Sequence, residues 1–412
     1  MPRKVFVQFG GRVKEFEVMP YPIPHIVVPT RKEVIHGWFY GFENGGRREC
    51  TSERILLNPY NGCTVNCPMC YARSFGGYFS LWDEAGVIAV FENFDLKLKD
   101  ELSKLYWASC AYLSPSSEPF QHPLENHYHL SEKSAYVFLD LDLPVDFITK
   151  RGDNIPIKLL DRMAEHPYGH CIAQFTILSV DEEVNRLFAP GGASVEEQFK
   201  AVRRCADRGI FTVVRMDPLF PGITDDERSI RSLVERAKAE GAKHIIFSLC
   251  DIGRPGELRR RRLLSLVKEH FPDAFEVWRR VYRYSQDGDV EYRKGVFKVA
   301  RRICDEVGVT MALCMEFEEV ELNGEVFYRG LNELFMSSTS CEGLDTPIYW
   351  RSRLDENFKP LKGCNGACLL CAKGLQVPIC GQRALMKASA LRYRDYRSMR
   401  PKCSDLTRFL SC

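Results

Sequence analysis

The sequence predicts an α/β protein: a partial (β/α) barrel with a small cysteine-rich module at its C-terminal end. Two observations carry that expectation. Apolar, β-rich runs alternate with amphipathic helical stretches through the middle of the chain, and the spacing Cys-x3-Cys-x2-Cys occurs twice, once before that region and once after it. A third bounds it, since 412 residues, 45% hydrophobic and 27% charged, suffice for one large domain with appendages or for two domains.

Along the chain, residues 1–50 read as a β-rich extension. The stretch "MPRKVFVQFGGRVKEFEV" alternates like a strand and lacks the continuous apolar core of a signal peptide. Residues 51–255 carry the barrel, with strands at "WASCAYL" from 107, "VDFITKR" from 145, "IAQFTIL" from 172, "FTVVRMDPL" from 211 and "HIIFSL" from 244. Between them "IPIKLLDRMAEH", "VEEQFKAVRRCADRG" and "DDERSIRSLVERAKAEG" are amphipathic at helical spacing, the last two stopped by Gly209 and Gly241. Strand and helix in alternation make a parallel sheet with helices outside. Residues 256–330 extend the barrel with charged helices and then, in "LCMEFEEVELNGEVFYRG", a strand followed by a hairpin around Asn323 and Gly324. Residues 331–412 form the cysteine-bearing module, expected to pack over the open mouth of the barrel as a lid.

A formal net charge of +2 gives no global field that would argue for nucleic acid or a membrane surface. No run of about 18 apolar residues occurs, so a soluble, cytoplasmic protein with no membrane span is expected. The run "RRRR" at 259–262 and the tail "LRYRDYRSMRPK" at 391–402 can be read as phosphate contacts or as solvated helix faces. His122, His127 and His129 do not share one helical face and are read as structural.

Seventeen cysteines in 412 residues are too many to ignore, and the chain is far larger than a typical disulfide-stapled domain. By chance the Cys-x3-Cys-x2-Cys spacing should arise roughly 0.03 times in a chain of this composition, so two copies point to reduced thiols binding metal. The first copy is Cys63, Cys67 and Cys70 in "NPYNGCTVNCPMCYAR"; the second is Cys364, Cys368 and Cys371, followed by Cys380. Three thiolates on a tight loop can hold three irons of a [4Fe-4S] cube and leave the fourth open for chemistry. Structural zinc wants four ligands, which the first loop lacks. Cys380 could complete four at the second, where iron–sulfur and zinc both remain open.

Chemistry in such barrels sits on loops at the C-terminal ends of the strands. The polar residues placed there are Ser116, Ser117 and Glu118, then Lys150 and Arg151, Ser179, Arg215 and Asp217, and Cys250 and Asp251.

The first cysteine loop, with the aromatic Tyr71 after its last cysteine, resembles that of the radical S-adenosylmethionine (SAM) enzymes, and the longer string "NPYNGCTVNCPMCYAR" looks most like the branch related to spore photoproduct lyase. The resemblance covers roughly residues 50 to 255 and implies that SAM chelates the open iron through its amine and carboxylate. One electron then cleaves its C5′–S bond, and a 5′-deoxyadenosyl radical abstracts hydrogen from substrate. It further implies that Ser117, with Ser116 in the serine-rich loop "SPSSEPFQ", contacts SAM, that Lys150 pairs with the SAM carboxylate, that Ser179 contacts the nucleoside, and that Tyr71 lies near SAM and the radical path. Arg215 in "RMDPLFPG" is expected at the SAM or substrate carboxylate.

Two features depart from the lyase. Its hydrogen-donor cysteine would fall at Pro115; Cys110, five residues earlier, is the candidate here, with a buried small apolar role as the alternative. The second cysteine cluster has no counterpart in the lyase. The expectation is therefore an oxygen-sensitive radical SAM enzyme with two [4Fe-4S] clusters and SAM as cofactors, supplied with electrons by a reductase or a ferredoxin- or flavodoxin-type donor. Its substrate is a peptide or small molecule, with nucleic acid as the alternative. A non-catalytic iron–sulfur or zinc protein is the reading from a different class.

Overall fold

Seven strands pair side by side in chain order: β1 (Arg54–Leu57), β2 (Cys110–Leu113), β3 (Val145–Thr149), β4 (Ile172–Thr176), β5 (Phe211–Leu219), β6 (His244–Leu249) and β7 (Thr310–Leu313). Every adjacent pair is parallel. The computed structural model describes residues 3–9, 12–37, 53–368, 371, 378–386 and 391–401. Residues 38–50 of the expected N-terminal extension, the first two residues of the expected barrel, 51–52, and the end of the basic tail, residue 402, lie outside the described residues. Among them β1 and β7 do not pair with each other; His36–Gly37 runs antiparallel along the free edge of β1. The sheet is thus an open, partial barrel.

Helices return the chain between strands: α1 (Leu130–Leu139), α2 (Ile157–Ala164), α3 (Glu182–Phe188), α4 (Val195–Ala206), α5 (Glu227–Ala239), α6 (Leu258–His270), α7 (Pro272–Val281) and α8 (Val290–Val307). Their starts are set by side chains. Asp181, Asp226 and Asp289 each accept an amide of the first turn, and Ser194 with Glu197 forms a capping box. Strands buried on both faces explain the near-continuous apolar runs in the sequence. One residue in two, such as Leu113, Phe147, Phe175, Val214, Phe247 and Leu313, belongs to the large core shared with the helices. The alternate set faces the concave side, and much of it is polar: Tyr112, Asp146, Gln174, Arg215, His244 and Ser248 are all buried, beside the apolar cluster of Ile172, Val213 and Ile246. The hairpin Phe317–Leu322/Glu325–Gly330 forms as expected, with Asn323 and Gly324 both at positive φ.

Among the described residues the C-terminal module does not cover the mouth. It packs against the N-terminal ends of the strands, the opposite end of the barrel. Tyr349–Trp350 pairs antiparallel with Trp107–Ala108, just ahead of β2, and then with Lys359–Pro360. Arg351 donates to the carbonyls of Leu102 and Leu105, and the Phe358 amide to Leu141 ahead of β3. Segment 341–343 enters the concave face from below. Glu342 pairs with Arg54, the first residue of β1, at 3.3 Å, and the Cys341 carbonyl meets His244 Nε2, at the start of β6, at 3.1 Å. A Cβ on Gly343 would fall 2.4 Å from the His244 ring, so only glycine lets the plug in. The physical reason is polarity: Arg54 and Asp146 lie buried at the strand starts, and the module brings the Glu342 carboxylate to pair with Arg54 there. Burial raises the Asp146 carboxyl to about 8, with Glu342 pushing it up and Arg54 pulling it down.

Breaking this pair should be costly. Arg54→Leu strands Glu342 without its buried partner, an expected loss of about 3–5 kcal/mol. The Arg54→Leu/Glu342→Leu double variant should recover most of it. Urea melts of the anaerobic protein check both.

Candidate active site

After β1 the chain forms the short strand Tyr60–Asn61 against Ile88–Glu92 and then turns through Cys63, Cys67 and Cys70. The loop is held by its carbonyls. Trp82 Nε1 donates to the Cys63 carbonyl at 3.1 Å, the Gly191 amide to Val65 at 2.9 Å, Arg73 Nε to Cys67 at 3.0 Å and Arg259 to Met69 at 3.2 Å. Four separate elements therefore fix the backbone. A Cβ on Gly191 would lie 2.2 Å from the Thr64 carbonyl, which explains a glycine where the loop after α3 meets the cysteine loop.

Burial disfavours the thiolates. Cys67 is pushed up to about 11, with Lys150 the main opposing charge, and Cys63 is also raised. Thiols of this kind ionise when a metal supplies the missing positive charge. Three thiols on one braced loop beside the buried and unpartnered hydroxyls of Ser114, Ser117 and Thr64 fit a three-cysteine cluster with a polar ligand next to it.

The expected SAM contacts gather at this end. The Tyr71 hydroxyl donates to the Pro115 carbonyl at 2.5 Å, tying the residue after Cys70 to the serine-rich loop. In that loop the Ser116 amide donates to Asn58 and the Ser117 amide to the Ser114 carbonyl. Glu118 organises the next strand end: its buried carboxylate accepts from the Thr149 hydroxyl at 2.5 Å, the Lys150 amide at 2.7 Å and the Phe120 amide at 3.1 Å. Burial raises its pKa while these bonds pull it down. The Lys150 charge is felt at both Cys67 and Asp217, which puts it between the cluster loop and the concave face. Ser179 follows β4, and its Oγ accepts the Asp181 amide at 3.0 Å, which leaves its hydroxyl proton free to donate to a ligand.

Other expected residues stand elsewhere. Arg215 lies on the concave face but is engaged, donating to Asp217 and, at 2.9 Å, to Gln174; Asp217 also accepts from Ser248. A bulge between Met216 and Leu219 aims Asp217 inward. Cys110 is the first residue of β2, fully buried among Arg54, Asp146 and Cys171, at the end away from the cysteine loop. The thiol that strand polarity does bring to the mouth is Cys314, directly after β7, whose neighbours include Arg215, Asp217 and Tyr71. Sequence reading missed it because the strand reads from Leu313 onward, running into the hairpin, and not over Thr310–Leu313 as the last barrel strand. It also missed Arg73, Trp82 and Gly191.

The basic run has a structural use. Arg259 is buried and bonds the Met69 and Asp251 carbonyls, Arg260 the Gly253 carbonyl and Arg262 Asp83. Arg259 thus braces the cluster loop directly, and Arg262 shares Asp83 with Arg73.

At the second motif Cys364, Cys368, Cys371 and Cys380 line one cavity of about 310 Å³, closed by Ile348 and Leu385. The Gly366 and Gln382 amides donate to the Cys364 and Cys380 sulfurs at 3.4 Å. Burial raises Cys380 to about 11, and Cys364 and Cys371 add to it. Among the described residues no three Cys, His, Asp or Glu side chains are drawn together as one metal ion requires.

Residues 57–234 match the family model of the Radical SAM superfamily. With an open parallel barrel and three thiols at its C-terminal end, the chain is a radical SAM enzyme. It is 29% identical over 394 residues to the "Radical SAM Nalpha-GlyT isomerase" of Pseudomonas phage M6, covering 92% of this chain and 79% of that one. An uncharacterized protein of Mycobacterium tuberculosis is 23% identical over 236 residues, 56% of this chain and 67% of its own length. Among solved structures, a spore photoproduct lyase variant with bound AdoMet and dinucleoside spore photoproduct aligns at TM-score 0.48 and 16% identity, covering 69% of this chain and 80% of that one. Among the described residues no helix is long and apolar enough to cross a membrane.

Two substitutions test the site. Gly191→Ala should push the cysteine loop outward at about 1–3 kcal/mol and lower iron retained after reconstitution, read by iron analysis. Lys150→Ala should keep its iron but lose about 1.5–3 kcal/mol of SAM affinity, read by equilibrium binding.

Proposed function

We propose that this enzyme is an isomerase that works by hydrogen abstraction from a small-molecule or peptide-like substrate, related to the Nalpha-GlyT of its phage relative. The observation that carries the reading is the length of that match: with 92% of this chain inside it, the alignment reaches past the second cysteine motif wherever it begins. When bound, the cluster and SAM supply a 5′-deoxyadenosyl radical. The chain's own part is to hold and aim. Cys63, Cys67 and Cys70 hold the cluster, Lys150 pairs with the SAM carboxylate, Ser116 and Ser117 bind its polar edge and Ser179 its nucleoside. Tyr71, fixed to Pro115, covers the reacting end. Arg215 and Asp217, already paired, present a rigid polar floor to the substrate.

Cys364, Cys368, Cys371 and Cys380 hold a second [4Fe-4S] cluster in this reading. Because the module sits at the far end of the strands, that cluster carries electrons or supports the fold rather than touching substrate. The described cysteines are all free thiols, in keeping with a reducing cytoplasm. The nucleic-acid reading loses support from the arginine run, where Arg259 bonds the Met69 carbonyl and Arg262 pairs with Asp83.

The test is anaerobic. Reduced, reconstituted protein should form 5′-deoxyadenosine from SAM and convert its substrate to a product of unchanged mass. Absence of 5′-deoxyadenosine, or a product of altered mass, overturns the reading. Protein with Cys364, Cys368 and Cys371 all replaced by alanine should drop from about eight irons to about four and still cleave SAM. Zinc in the anaerobically isolated wild type would replace the second cluster with a structural site.

A further inference from the structure

We propose that the hollow behind the cysteine loop is the docking point of a small acidic electron-carrier protein, flavin or iron–sulfur, that reduces the cluster. The inference rests on the reading that Cys63, Cys67 and Cys70 hold that cluster. A cavity of about 340 Å³ opens to the surface there, lined by Asn66, Pro68, Arg73, Trp82, Asp83 and Arg262. Asn66 and Pro68 lie between the cluster cysteines in sequence, so the back of the loop forms one wall. Trp82 forms another. Its indole is buried, lies under the Arg73 guanidinium at 4.3 Å and donates to the Cys63 carbonyl.

The charge of the hollow is unbalanced. Asp83 alone serves two guanidiniums, Arg73 at 2.7 Å and Arg262 at 2.5 Å. That leaves one positive charge in excess, on a part-exposed Arg262. Exposed Arg3 adds a second where it donates to the Ala85 carbonyl. Exposed Glu84, beside Asp83, opposes them. Helices cover the convex face of the barrel, and the mouth side belongs to SAM and substrate. The loop's outer face therefore gives an electron the short path in. One electron leaves the reduced carrier and enters the cluster; no bond is made or broken, and no proton moves. An acidic partner would be steered to such a patch, with a rate that falls as salt rises.

The probe is reduced flavodoxin, mixed anaerobically with the reconstituted full chain while cluster absorbance is followed by stopped flow. Rates are taken per cluster, with iron counted in each preparation. Reduction by photoexcited deazaflavin, which needs no docking, gives the reference rate. Arg262→Glu should slow reduction by flavodoxin about tenfold relative to the reference, and Glu84→Lys should speed it several-fold; both differences should shrink at high ionic strength. Arg228→Glu, exposed on α5, is the charge-matched control. Equal slowing by Arg228→Glu, or no response to Glu84→Lys, overturns the docking site. A gain of rate cannot come from a folding defect. Failure of the cluster reading looks different: such protein carries no iron at the first motif and makes no 5′-deoxyadenosine with either reductant.

Discussion

The cysteine loop can turn its three thiols inward only because its carbonyls are held from outside. A tight loop of this kind has no partner strand to satisfy its backbone, and unpaired carbonyls beside a buried site are costly. Trp82, Arg73, Gly191 and Arg259 answer that need from four different places in the chain. Each is committed elsewhere as well. Arg73 rests on Asp83, Arg259 on Asp251, and Gly191 on the loop after α3. The position of the loop is thus a property of the whole barrel, and so is the position of any ligand it holds.

The concave face shows the same economy. Parallel strands offer one residue in two to each side, and here the inner set carries buried charged groups beside the apolar Ile172, Val213 and Ile246. Arg215 with Asp217, and Arg54 with Glu342, carry opposite charges close together, while Asp146 sits between the two pairs, leaning on Gln174. Such buried networks are stabilising only when each member is satisfied. Their value is rigidity: a floor that does not rearrange when a reactive species forms above it.

Much of this was legible in the sequence, and for definite reasons. Strands from 107 to 249 and helices α2, α4 and α5 carry strong periodic patterns, and both cysteine motifs are local. Strand β1 is short, flanked by irregular chain, and escapes notice for that reason; β7 is short too, and its strand is read from Leu313 onward. The braces of the cluster loop could not be read, because Trp82, Gly191 and Arg259 reach it from as far as 190 residues away. Spacing showed that the second cysteine motif exists; it could not show to which end of the barrel the module belongs. The clue lay in Glu342, a carboxylate with no local partner, but its answer, Arg54, is 288 residues upstream.

That separation has a kinetic side. Contacts so distant in sequence form late, since a long loop must close before they contribute. During synthesis the strands and helices of the barrel are complete before segment 341–350 exists, and until it arrives the lower end of the concave face stays open to water. The nascent enzyme therefore passes through a state with both ends of the barrel accessible. The residues from 341 onward act as the closing step of assembly, and a chain without them would leave Arg54 and Asp146 exposed at an unfinished end, a mark by which quality control could recognise it.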